Sequence, residues 1–170
     1  MCVFIKEELK AKEIIILSTM PDAEDLWVAV TLVTGLVINI RACFHLPKPI
    51  YNVINFKQRL QDNIGYVLER DSNSVFVFTG DLNRLSANDL QSLYGLDQIV
   101  NVPTHNNNIL DKFITNRPDM FVVQVMQSLI KTKHKALIVN FKADCVQDVP
   151  RPGRTVVQLW DDTSAATCLL

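Results

Sequence analysis

Apolar residues occur along this chain mostly in short unbroken runs and in two-residue alternation, and one long stretch carries helical spacing. Val3, Phe4 and Ile5 predict a short strand, and Ile14-Ile15-Ile16-Leu17 predicts another. After the turn signal Pro21-Asp22, residues 26–32 and 36–44 predict a hairpin folded at Thr34-Gly35. His45-Leu46-Pro47-Lys48-Pro49 then breaks the pattern, because neither proline can donate to a ladder. From residue 50 to 68, Val53, Phe56, Leu60, Ile64 and Val67 recur at spacings of three and four, which places them on one face of an amphipathic helix.

Asp71-Ser72-Asn73-Ser74 predicts a turn into Val75-Phe76-Val77-Phe78, a continuous apolar run suited to a strand buried on both faces. Ser86, with Asp89 three residues on, predicts the cap of a short helix ending near Gly95. Residues 109–115, 120–126 and 136–141 predict further strands. Many strands with few helices between them imply an α/β (α+β) fold, a layered sandwich of two mixed β-sheets flanked by helices. Residues 144–170, with Pro150, Pro152 and Gly153, read as a partly irregular C-terminal extension.

Length and composition narrow the class. With 170 residues, 48% of them apolar and 21% charged, the chain suits one globular domain with a real core. Lys plus Arg number 17 against 18 Asp plus Glu, so no global basic field exists and any affinity for nucleic acid must be local. Cys2, Cys43, Cys145 and Cys168 lack metal-ligand spacing, which predicts buried, reduced thiols in an intracellular protein, nuclear or cytoplasmic. The apolar stretch 26–40 is interrupted by Thr31, Thr34, Gly35 and Asn39, which excludes a membrane span there.

The polar residues that carry chemistry follow the buried strand. Gly80-Asp81-Leu82-Asn83 sits at its end, and residues two apart on extended backbone project to one side. A carboxylate and an amide sharing a pocket suit phosphodiester hydrolysis: one orients or deprotonates water, the other donates to a phosphoryl oxygen. The same residues are also ordinary turn formers. In Ile109-Leu110-Asp111-Lys112-Phe113, alternation puts Asp111 among apolar neighbours, where it needs a partner or faces water at an edge. His134 is the candidate partner, although its neighbours Lys131, Lys133 and Lys135 also suit a solvated loop.

Taken in order, Gly80-Asp81-Leu82-Asn83, Pro103-Thr104-His105, Leu110-Asp111 and His134 before a last apolar strand are similar to the second half of the endonuclease/exonuclease/phosphatase (DNase I-like) superfamily. Residues 109–119, ILDKFITNRPD, most resemble the endonuclease domains of non-LTR retrotransposons. The resemblance implies two packed β-sheets with magnesium at the top, DNA phosphodiesters as substrate, and a reverse transcriptase domain on a longer parent protein. It makes Asp81 the water-orienting aspartate and metal ligand, Asn83 the phosphate-contacting amide, and Asp111 with His134 the acid/base pair. Phe44, Thr104, Lys131 and Lys133 would contact substrate; Phe44 stands where many relatives carry tyrosine.

Two departures qualify the match. The chain starts after the strands that in relatives supply an asparagine and the metal-binding glutamate, which implies a partial domain over residues 1–143 with its first strands missing. Thr132-Lys133-His134 replaces the usual Ser-Asp-His, putting an ammonium where a carboxylate helps hold the cation. Both imply weak magnesium binding and an impaired or inactive copy, or a non-catalytic module that binds phosphate.

Overall fold

The computed structural model describes residues 2–17 and 23–142. The expected turn at Pro21-Asp22, the extension 144–170, Cys145 and Cys168 lie outside them. Eight strands and two α-helices follow one another as β1 (Lys10–Glu13), β2 (Glu24–Thr31), β3 (Val37–Phe44), α1 (Val53–Arg70), β4 (Val75–Asp81), α2 (Asn88–Tyr94), β5 (Asp97–Gln98), β6 (Asp111–Thr115), β7 (Phe121–Met126) and β8 (Ala136–Phe141). Six strands form one mixed sheet in the order β1-β2-β3-β4-β6-β5, in which β3 and β4 run parallel. The remaining pair, β7-β8, is antiparallel. The α+β class and the two sheets therefore match the sequence pattern, but only the larger sheet is mixed.

The central strand explains the layering. Along β4, Phe76 and Phe78 join one core cluster and Val75 and Val77 the other, as alternation requires of a strand buried on both sides. Phe56, Leu60, Ile64 and Val67 of α1 cover the first face. Their burial is worth roughly 1.5–3 kcal/mol for each side chain. Met120, Phe121 and Leu137 bring β7 and β8 against the second face, where Val75, Val77 and Phe113 meet them.

Helix α1 starts where Asn52 offers a side-chain acceptor: its Oδ1 takes the N–H groups of Ile54 at 2.9 Å and Asn55 at 3.1 Å. Asn52→Ala is expected to lower unfolding stability by about 1 kcal/mol, read as a shifted urea midpoint at constant slope. An unchanged midpoint would show that the cap contributes nothing.

One charged residue enters the helix-covered core. Arg41 is 2% exposed, donates to Asp25 Oδ2 from Nε at 3.2 Å and Nη2 at 2.9 Å, and lies over the rings of Phe78, Trp27 and Phe56. The planar guanidinium suits this site because it forks onto one carboxylate while stacking on aromatic faces.

Several expectations need correction. Residues 3–5 and 14–17 are not strands. Ile14 and Ile16 instead pack against the helix-side cluster as irregular chain, and the Leu17 N–H donates to Asn63 Oδ1 of α1 at 3.1 Å. The strand lies just before them in Lys10–Glu13, whose residues are all exposed; pairing with β2 makes it, not burial. Ser86 sits one residue before the N-cap of α2, Ala87, which makes no side-chain cap bond; the Ser86 Oγ still accepts the Asn88 N–H at 3.4 Å, and Gly95 ends the helix in the left-handed conformation as expected. Cys2 is exposed, so only Cys43 of the two described cysteines is buried, and burial pushes its thiol up to about 11. Among the described residues, no helix is long and apolar enough to cross a membrane.

Candidate functional site

The C-terminal end of β4 and the start of β6 meet at one rim of the large sheet, because the two strands pair antiparallel with Asp81 opposite Asp111. Both carboxylates belong to the face that packs toward β7 and β8, on the alternation that puts Val77 and Phe113 there. His134 arrives from the segment between β7 and β8, and an isolated bridge joins its backbone to His105. The four polar residues singled out above thus gather from three separate stretches of chain.

Asp111 is 5% exposed, and its Oδ2 lies 2.9 Å from His134 Nδ1. That bond answers the requirement that a buried carboxylate have a partner. With Asp111 ionised, Nδ1 carries the shared proton, and Nε2 is left as the basic nitrogen. Ligand-type atoms of Asp81, Asp111 and His134 all lie within 4.8 Å of one another.

Asp81 and Asn83 are neighbours for a different reason from the one strand alternation suggested. β4 ends at Asp81, and Asn83 adopts φ 47°, so the chain turns instead of continuing extended. The turn is held by the Asn83 N–H donating to Asp81 Oδ1 at 3.0 Å and by Asn83 Nδ2 donating to the His45 carbonyl at 2.7 Å. Asparagine tolerates this left-handed conformation and bonds locally to its own turn. The His45 N–H in turn donates to the Asp81 carbonyl at 2.9 Å, which ties the loop after β3 to the same rim. Half-buried Phe44 ends β3 immediately before it and presents no hydroxyl.

Thr104 departs from its expected role as a substrate contact. It is 0% exposed, and its Oγ1 accepts the N–H groups of Leu110 at 3.1 Å and Asp111 at 3.0 Å. Its carbonyl accepts from the Lys135 N–H at 2.7 Å. Thr104 therefore ties the backbone beside Asp111 to the backbone beside His134 and lies too deep to touch a ligand. Lys131 and Lys133, by contrast, are exposed on the segment leading to His134.

Magnesium binds through one or two carboxylates, with water and substrate phosphate completing its shell. The cluster meets that minimum. Asp81 Oδ1 accepts the Asn83 N–H and Asp111 Oδ2 is engaged by the imidazole, so Asp81 and Asp111 together are the carboxylates that would hold the ion.

No family model matches the chain, and no curated protein matches it. Among solved structures, the chain is similar to a humanized D. rerio TDP2 carrying 14 mutations, at 16% identity and a TM-score of 0.45. The match covers 79% of this chain and 65% of that one, so the chain spans less than two thirds of that structure's length. Similarity at this level leaves the functional reading to the side chains themselves.

Two residues near the rim escaped the sequence reading as individuals. Lys112 alternates to the opposite face from Asp111, and its Nζ donates to the Leu85 carbonyl; burial lowers its pKa from the usual lysine range, opposed by the charge of Asp81. His105 was visible only as part of Pro103-Thr104-His105. Its ring stands at 80° to that of His134 with centroids 4.5 Å apart, a contact between residues far apart in the chain that no local spacing signals.

Proposed function

We propose that this protein is a phosphodiester hydrolase of the endonuclease/exonuclease/phosphatase type that acts on DNA. The observation that carries the proposal is the 2.9 Å bond between buried Asp111 and His134, with Asp81 in the same cluster at the rim. In the proposed reaction, Asp81 orients a water whose oxygen attacks phosphorus while His134 Nε2 takes its proton; the P–O bond to one sugar breaks, and the departing oxygen leaves as a hydroxyl by taking a proton from solvent water. Asp111 holds the ring in the tautomer this requires and stabilises the imidazolium that forms. Asn83 uses Nδ2 to grip the His45 carbonyl; its other amide hydrogen suits a phosphoryl oxygen as charge builds there. Magnesium held at Asp81 and Asp111 would supply positive charge to the phosphoryl oxygens. Lys133, exposed beside His134, attracts the phosphate backbone but opposes a cation nearby, which supports a weak enzyme.

The finer placement is part of the same proposal. The wording of residues 109–119 supports the non-LTR retrotransposon branch, with a reverse transcriptase as the natural companion domain and an intracellular, DNA-containing setting. Supercoiled plasmid incubated with the protein and magnesium should be nicked, and Asp81→Ala should remove the nicking. Protein that binds plasmid in a salt-dependent manner yet never nicks it would overturn the hydrolase. That outcome would leave the second reading, a phosphate-binding module that uses Lys131 and Lys133.

A further inference from the structure

Asn83 takes part of its placement from a residue outside its own loop. Its Nδ2 donates to the His45 carbonyl at 2.7 Å, so the direction of that carbonyl bears on where the amide sits. The His45 N–H, bonded to the Asp81 carbonyl, belongs to the preceding peptide and does not set rotation about the bond that carries the carbonyl. The chain then enters Leu46-Pro47-Lys48-Pro49, where neither proline has an N–H to tie the segment down.

Tyr51 reaches back to this peptide from the start of α1. Its Oη lies 2.7 Å from His45 Nδ1, and the Leu46 N–H bonds to the same hydroxyl. That N–H and the His45 carbonyl are the two ends of one planar peptide, so a group that holds the first orients the second. The rings of His45, Tyr51 and Phe56 pack on one another with centroids 5.7, 5.4 and 5.3 Å apart, and Phe56 is buried, which seats the hydroxyl against the helix.

We propose that Tyr51 is the positioning residue for Asn83: its hydroxyl, by holding the His45 ring and the Leu46 N–H, aims the His45 carbonyl at the Asn83 amide. The catalytic consequence rests on the hydrolase reading of Asn83; the geometry does not. Phenylalanine at 51 keeps the ring packing and removes only the hydroxyl. At 45, asparagine carries a polar atom the same number of bonds from the backbone as Nδ1 and can keep the bond to Tyr51, whereas alanine cannot.

The test follows the side-chain amide of Asn83 by NMR in the 15N-labelled full chain, without any need for activity. In wild type one amide proton should carry the downfield, temperature-insensitive shift of a hydrogen-bonded donor. Tyr51→Phe and His45→Ala should lose it, and His45→Asn should keep it. Leu60→Ala, which weakens the same core cluster without touching the hydroxyl, should lower the melting temperature and leave the signature intact. In the nicking assay, Tyr51→Phe should lower kcat roughly 10-fold with KM little changed, and should cost nothing further in an Asn83→Ala background. An unaltered Asn83 signature in Tyr51→Phe overturns the proposal, as does the same loss of signature in Leu60→Ala or an asparagine variant that behaves like alanine. Wild type that nicks nothing retires the hydrolase, while the amide comparison still decides the role of Tyr51.

Discussion

Gly80→Ala is expected to abolish cooperative folding. A methyl group on Gly80 would lie 1.9 Å from the carbonyl oxygen of Cys43 and 2.9 Å from its carbonyl carbon. The obstacle is the backbone of the neighbouring parallel strand, which cannot rotate aside as a side chain would. Gly80 also holds φ 139°, a conformation that side-chain-bearing residues rarely adopt. Clash and backbone strain together place the loss at more than about 4 kcal/mol, a large share of the roughly 5–15 kcal/mol that holds a domain folded. Gly35→Ala is the matched control: φ is 84° there, but nothing lies within 4 Å of the added methyl. It should cost only about 1–2 kcal/mol. Thermal unfolding followed by circular dichroism compares the two, and equal melting temperatures would mean that β3 and β4 leave room for a methyl group at Gly80.

The second large effect concerns Asp111 and His134 acting as one unit. Asp111→Ala and His134→Ala should each lower plasmid nicking by about 10²–10⁴-fold, the usual contribution of a positioned acid/base group. The double variant should be little worse than the poorer single one. Once His134 is gone the carboxylate has no ring to orient, and once Asp111 is gone the ring loses its tautomer, so the two losses overlap. Melting temperatures of all three variants separate lost chemistry from lost fold. Losses that multiply would mean the residues act independently and would overturn the coupling that the 2.9 Å bond implies.

How much of this was legible beforehand depended on whether burial or pairing decided each element. Val75-Phe76-Val77-Phe78 announced a doubly covered strand because both of its faces needed apolar partners, and α1 showed itself through one apolar face at helical spacing. The hairpin of β2 and β3 turns at Thr34-Gly35, where Gly35 takes the positive φ its position requires. Lys10–Glu13 was invisible as a strand because its stability comes from a partner 15 or more residues onward, not from its own exposed side chains. The apolar residues that drew attention, Ile14 and Ile16, cover core from irregular chain, with Ile14 keeping one backbone bond to the Trp27 carbonyl. At the rim, Asp81, Asn83, Asp111 and His134 were legible as a set. What local sequence cannot give is depth, which turns Thr104 from a ligand contact into a tie, and the choice at Asn83 between extended strand and the turn that its residue type equally allowed.

The pair also spans a seam. Asp111 belongs to the six-stranded sheet, whereas His134 precedes a strand of the two-stranded one, so carboxylate and imidazole meet only while the hairpin is docked. Any opening of that hairpin would separate carboxylate from imidazole. In the proposed hydrolase, the fraction of molecules able to turn over would then follow a local opening equilibrium, with the apolar packing around Phe113, Phe121 and Leu137 holding the hairpin down from beneath the rim.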